Sequence, residues 1–167
     1  MTKTIVAGIM LVLLTGCSST PGAAPAAGDK DPCSLLTDDQ LTKAFGQAPG
    51  SHAPSISGIN GCKWLFPNDS ANLSVFVAGA GEIEPRITGT DPVSGVGDKA
   101  GWSSDTGVMF AVAGGKGLHV LVTVGVSNGG SPEHKAWEKA AGISVTRNAF
   151  AALGVGKPDD LVEAVVR

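Results

Sequence analysis

The side chains able to do chemistry are few: three cysteines, Cys17, Cys33 and Cys62, and three histidines, His52, His119 and His134. The histidines are scattered along the chain. A general base needs a nucleophile or a carboxylate within hydrogen-bond reach, and no local pattern supplies one. Neither G-x-S-x-G, H-E-x-x-H nor G-x-x-x-x-G-K-[ST] occurs, and no serine stands three residues before a lysine. A Ser-His-Asp site would have to assemble in space. His134 and Glu138 are spaced i, i+4, which could hold a metal but is more often a solvated pair on a helix. Residues 95–100, "GVGDKA", match the dinucleotide fingerprint in form. That fingerprint needs a strand before it and a helix after it; with Pro92 upstream and Gly101 downstream, a glycine-rich turn is the better reading. No cofactor, no metal site and no enzymatic activity are therefore expected. Of the three tryptophans, Trp64 and Trp137 read as core. Trp102, flanked by Gly101 and Ser103-Ser104, is the candidate for an exposed binding surface.

Cys17 stands apart from the other two cysteines. Residues 5–14, "IVAGIMLVLL", are an apolar run of ten after the single charge of Lys3. Such a run is half the roughly 20 residues of a membrane-spanning helix and suits the apolar region of a secretory signal. It leads into Leu14-Thr15-Gly16-Cys17, the order of the bacterial lipobox. Small residues let the chain enter a signal peptidase, and the thiol accepts diacylglycerol. The expectation is cleavage after Gly16 and a lipidated Cys17, with palmitate on the mature N-terminus. An ordinary signal peptide with a cysteine nearby is the alternative. Multiple acyl chains, at about 0.8 kcal/mol per buried CH₂, would hold a small domain at the membrane. Residues 17–30, rich in Ser, Pro, Ala and Gly, have little to bury and are expected to serve as a flexible tether.

With Cys17 assigned to lipid, Cys33 and Cys62 remain, in a compartment where disulfides persist. One pairing is open to them, worth about 3–4 kcal/mol on the chain-entropy model. Two reduced thiols or a metal site are the alternatives, and no zinc-ligand spacing supports the second. Loss of residues 1–16 would remove Lys3, one of 12 basic residues, leaving 11 against 15 acidic ones, a formal charge of −4. That balance excludes a nucleic-acid footprint and a polybasic membrane patch.

The elements that must position these residues begin with a capping box, Thr37 and Gln40. Asp38 and Asp39 stand at the positive end of the dipole and Gly46 at the stop, so a short helix is predicted over Asp38–Phe45. Residues 47–61 read as loop. Strands at 62–66 and 73–79 form a plausible hairpin, and 80–95 an irregular link with at most a helical turn. Residues 108–113 and 118–126, around Gly114-Gly115-Lys116-Gly117, make the clearest hairpin. The second of these carries apolar residues on both faces, which marks a central strand. Ser131-Pro132 opens a last helix, with Trp137, Ala140, Ala141, Ser144, Val145, Asn148, Ala152 and Leu153 as its apolar stripe and a kink expected near Gly142. The terminal "DDLVEAVVR" allows a further amphipathic turn or two. The fold expected is α+β: a single, mainly antiparallel sheet with a short N-terminal helix and a longer C-terminal helix packed on it. It divides as 1–16 signal peptide, 17–30 tether, 31–153 domain and 154–167 tail.

Residues 31–41, "DPCSLLTDDQL", resemble the opening of an actinobacterial cell-envelope lipoprotein family known only as a domain of unknown function. The resemblance continues at Gly61-Cys62-Lys63-Trp64, at the turn of residues 95–100 and in a final helix ending Ala-Ala-Leu. It implies a Cys33–Cys62 bridge, a lipid-anchored domain on the extracytoplasmic face of the cell membrane, and no known enzymatic activity. Many members carry a second cysteine pair late in the domain, which this chain lacks. The function expected is a non-enzymatic binding module of the envelope, its partners the membrane through the lipid anchor and an envelope protein or a small apolar or glycan ligand. An envelope hydrolase with a dispersed site is the alternative.

Overall fold

The computed structural model describes residues 30–55, 60–125 and 130–156. The leader, Cys17, the tether up to residue 29 and the segment 157–167 lie outside the described residues.

A 3₁₀ turn, Pro32–Ser34, is capped by Asp31 and leads to helix α1, Asp38–Phe45. The Thr37 hydroxyl accepts the Gln40 N–H at 3.2 Å, and the Gln40 amide oxygen accepts the Thr37 N–H at 2.9 Å. This is the capping box read from the sequence, with bounds to match. Gly46 ends the helix in the left-handed conformation, φ 73°. Strands β1 (Ser51–Pro54), β2 (Gly61–Leu65) and β3 (Ala71–Gly79) follow, then helix α2 (Ala80–Ile87). Next come β4 (Asp91–Pro92), β5 (Lys99–Ser103), β6 (Val108–Ala113), β7 (Lys116–Val124) and helix α3 (Pro132–Ala152).

Among the described residues the strands form one antiparallel sheet in the order β1-β2-β3-β7-β6-β5-β4. β7 is its middle strand, as its two apolar faces foretold. β3 and β7 pair over nine residues, from Ala71↔Val124 to Gly79↔Lys116, and make the spine. β6 returns to β7 through Gly114-Gly115, both at positive φ, 52° and 80°, which only glycine adopts without strain.

Period-two alternation sends one set of side chains inward. Trp64, Leu73, Val75, Met109, Leu118, Val120 and Val122 are buried there, with Leu41, Phe45, Val145, Ala149 and Phe150 of α1 and α3. Phe45 stacks on Phe66 at 4.3 Å and meets Trp137 edge-on at 5.6 Å. Cys33 and Cys62 are bonded, Cα to Cα 5.0 Å, which ties the start of the domain to β2. The core of the described residues runs from Cys33 to Val155.

Four elements differ from expectation. β1 falls in the segment read as loop: all four of its residues are exposed, so no burial period marks it. α2 falls in the segment read as a link, since Pro85 reads as a breaker; the proline is exposed, on the helix's solvent side, while Ile83 and Ile87 are buried. β4 also falls in the segment read as a link, and β5 begins at Lys99, inside the stretch 95–100 read as a glycine-rich turn. The buried face of α3 is also rotated from the expected stripe, with Glu138, Gly142, Thr146, Ala149 and Phe150 inward and Ala140 exposed. Gly142 is a contact point within one continuous helix: a Cβ there would lie 3.0 Å from Cζ3 of Trp102.

Candidate functional site

Trp102 is the first sequence-derived site residue to be corrected. It is 2 % exposed and belongs to the core, not to a binding surface. It shares an inward row with Met109, Val120, Val75 and Cys62. The small neighbours that suggested exposure serve other contacts. Gly101 points to the opposite face, where a Cβ would collide with the Thr90 hydroxyl and approach Ile87 at 3.1 Å.

The glycine-rich turn is a brace. Gly95 and Gly97 have φ of 73° and 59°, and the Gly95 carbonyl accepts from Arg147 Nε at 2.9 Å. Asp98 accepts the Gly114 N–H at 3.0 Å, and its own N–H donates to the Val112 carbonyl at 2.8 Å. A strand follows the turn, so the dinucleotide geometry is not formed.

The three histidines sit on three elements, β1, β7 and α3, and no ring contact joins any two of them among the described residues. His52 lies on exposed β1, 6.4 Å from Trp64. His134 opens α3, its Nδ1 3.3 Å from the Ser131 hydroxyl, but that oxygen is accepting the His134 N–H at 3.2 Å as the helix cap. Glu138 is not a solvated partner for it. Its side chain is buried and its carboxylate comes within about 4.0 Å of the position a Cβ on Gly107 would take. Among the described residues no group of three His, Cys, Asp or Glu side chains is placed to hold a metal.

His119 is the exception in setting. It points outward from β7 in a row that reads Gly61, Phe76, His119, Phe110, Gly101 across five strands. Its ring lies 5.1 Å from Phe76 and 5.0 Å from Phe110, all three side chains half-buried. The Phe76 ring lies across Gly61, where a Cβ would leave it no room. Burial first, then the nearby Arg86 charge, lowers the His119 pKa from 6.5, so the imidazole is neutral at neutral pH.

Helix α2 covers part of this outer face. Ile83 packs on Gly117, and Ile83, Ile87 and Val112 form a second small cluster with Ala78 and Phe110 against it. The rest of the face, over β2, β3 and β7, has no helix on it among the described residues. Leu65 on β2 is the exposed large hydrophobic residue, at 40 %. The two sheet edges offer little. The Ser55 N–H donates to Gly61 and the Val93 N–H to Ala100. By alternation Pro54 and Pro92 therefore face outward on β1 and β4, where each removes an edge donor. The outer face, half helix and half open aromatic floor, is thus the candidate site. It carries a neutral histidine, and among the described residues no hydrogen bond joins that histidine to a nucleophile.

The sequence did not flag this surface, because Phe76, Phe110 and His119 come from three strands. The alternation of residues 73–79 and 118–126 was the available signal: it puts Phe76 and His119 on the faces opposite the core residues. Comparison with family models, curated proteins and solved structures finds no match for the chain. What the fold and site define is a class: a disulfide-pinned α+β domain with one covered and one partly open sheet face.

Proposed function

We propose that the chain is an exported lipoprotein, held by Cys17 on the extracytoplasmic face of the cell membrane, whose α+β domain is a non-enzymatic binding module. The observation that carries this is the Cys33–Cys62 bridge. It uses two of three cysteines, suits an oxidising compartment, and leaves the odd one in the lipobox order Leu14-Thr15-Gly16-Cys17. The resemblance at residues 31–41 to actinobacterial envelope lipoproteins supports the same reading. The binding role rests on the outer face, and the partner is an envelope protein or a small apolar or glycan ligand. Among the described residues no helix is long and apolar enough to cross a membrane; the anchor proposed is the lipid on Cys17. The test is membrane fractionation of the chain and its Cys17→Ala variant, with the mass of the mature N-terminal peptide. The parent is expected in the membrane fraction with its first residue at Cys17 and an acyl mass on it. A parent cleaved elsewhere, or free of acyl mass, would sink the reading.

A further inference from the structure

The open part of the outer face has an uneven charge. Its floor is Phe76, flat over Gly61, with His119 and Leu121 beside it and Leu65 beyond. Two exposed cations border it: Lys63, on the Ser74–Leu121 row, and Arg86 on α2, close enough to His119 to disfavour its protonation. Neither has an ion pair among the described residues, whereas Lys99 on the same face is held by Glu84 at 3.3 Å. Glu82, one turn before Arg86, keeps its carboxylate by Gly79 at the start of the helix. An apolar floor with unpaired cations at its rim, in a chain of formal charge −3, is complementary to an anionic, apolar occupant.

Shape narrows the class. α2 stands about a helix diameter, ~10 Å, above the floor. A flat bilayer is held off by that ridge, whereas a single acyl chain is thin enough to reach the floor beside it. We propose that this ledge binds a single-chain anionic lipid, its acyl chain on Phe76 and Leu121 and its phosphate drawn to Lys63 and Arg86. This deepens the binding-module reading, on which it rests for having a ligand at all. It names that ligand's class: a lysophospholipid with a negative headgroup. Charge-assisted bonds to phosphate supply orientation, and the aromatic floor supplies area.

The test uses the chain from Ser18 to Arg167, which contains every described residue. The probe is lauroyl-lysophosphatidylglycerol below its micelle concentration, with lauroyl-lysophosphatidylcholine as the zwitterionic control. Binding is followed by amide chemical shifts and calorimetry. Saturable shifts are expected at Lys63, Phe76, His119 and Leu121, with at least tenfold weaker binding of the choline lipid. The double variant Lys63→Glu/Arg86→Glu should also bind at least tenfold more weakly at unchanged thermal midpoint. Phe76→Ala should weaken both lipids. Equal affinity for the two headgroups, shifts centred on the inner face, or association only with phosphatidylglycerol vesicles would each overturn the proposal. Because this chain lacks Cys17, the outcome is independent of whether Cys17 is lipidated.

Discussion

At the scale of single residues, several side chains hold the fold by doing two things at once. Gln40 closes the capping box with its oxygen and donates from Nε2 to the Asn148 oxygen at 3.2 Å, so the start of α1 is tied to the buried face of α3. Thr146, fully buried, returns its hydroxyl to the Gly142 carbonyl at 2.6 Å, which satisfies a polar group that would otherwise be costly to bury. His119 is the residue whose setting has a measurable thermodynamic signature. Its pKa is lower in the folded protein than the 6.5 of the exposed side chain, first through burial and then through Arg86. The unfolded chain therefore binds more protons as pH falls below about 6.5, and stability must rise with pH across that window. The contribution is complete above 6.5 and is lost progressively toward the folded-state pKa. His119→Phe keeps a ring between Phe76 and Phe110 and removes the titration. Urea unfolding at pH 5 and pH 7.5 should show a smaller pH difference in this variant than in the parent. An unchanged difference would mean that His119 is not a source of the pH dependence.

At the scale of elements, what was legible in the sequence was whatever has a local cause. α1 was bounded correctly because its cap and its stop both lie within ten consecutive residues, Thr37 to Gly46. The β6–β7 hairpin was visible because two apolar runs flank a glycine pair. The Cys33–Cys62 bridge was available by counting. The elements that were missed take their structure from neighbours. β1 is a strand because β2 offers it a ladder, through Ser51↔Leu65 to Pro54↔Cys62, and not because of its composition. α2 is a helix despite Pro85 because Ile83 and Ile87 have a sheet face to cover. Trp102 was misjudged for the same reason: its pocket is made by Gly142, 40 positions away in sequence. The two edge prolines carry a consequence for association. On each edge a proline occupies a position that faces away from the sheet, and His52 is left as the outward N–H of β1. Pro54→Val and Pro92→Val each restore an edge donor without touching the core. The pair of substitutions should raise concentration-dependent association in light scattering while the far-ultraviolet spectrum stays as in the parent. Monomeric behaviour of the double variant at the highest concentrations would show that the prolines are not what blunts the edges.

For the whole molecule, the two faces of the sheet divide the labour of stability and recognition. The inner layer contains the large core cluster, joins α1 to α3 and includes the bridge, worth about 3–4 kcal/mol by restricting the unfolded chain. Among the described residues the outer layer is α2, held by the cluster of Ile83, Ile87 and Val112. Three buried side chains, at about 1.5–3 kcal/mol each, hold an eight-residue helix that would be unstable by itself. α2 must then open at far lower free energy than the spine it covers. Arg86 rides on this helix, so the ledge beside Phe76 and His119 is bordered by the most easily moved element of the domain. Amide hydrogen exchange should resolve the hierarchy. The amides of β3 and β7 are expected to exchange only through global unfolding, and those of α2 through a sub-global opening at least a hundredfold more frequent. Ile87→Ala should widen that gap by loosening α2 while leaving β3 and β7 slow. If α2 instead exchanges in step with β7, the domain is a single cooperative unit, and its outer face has no adaptability of its own to offer a ligand.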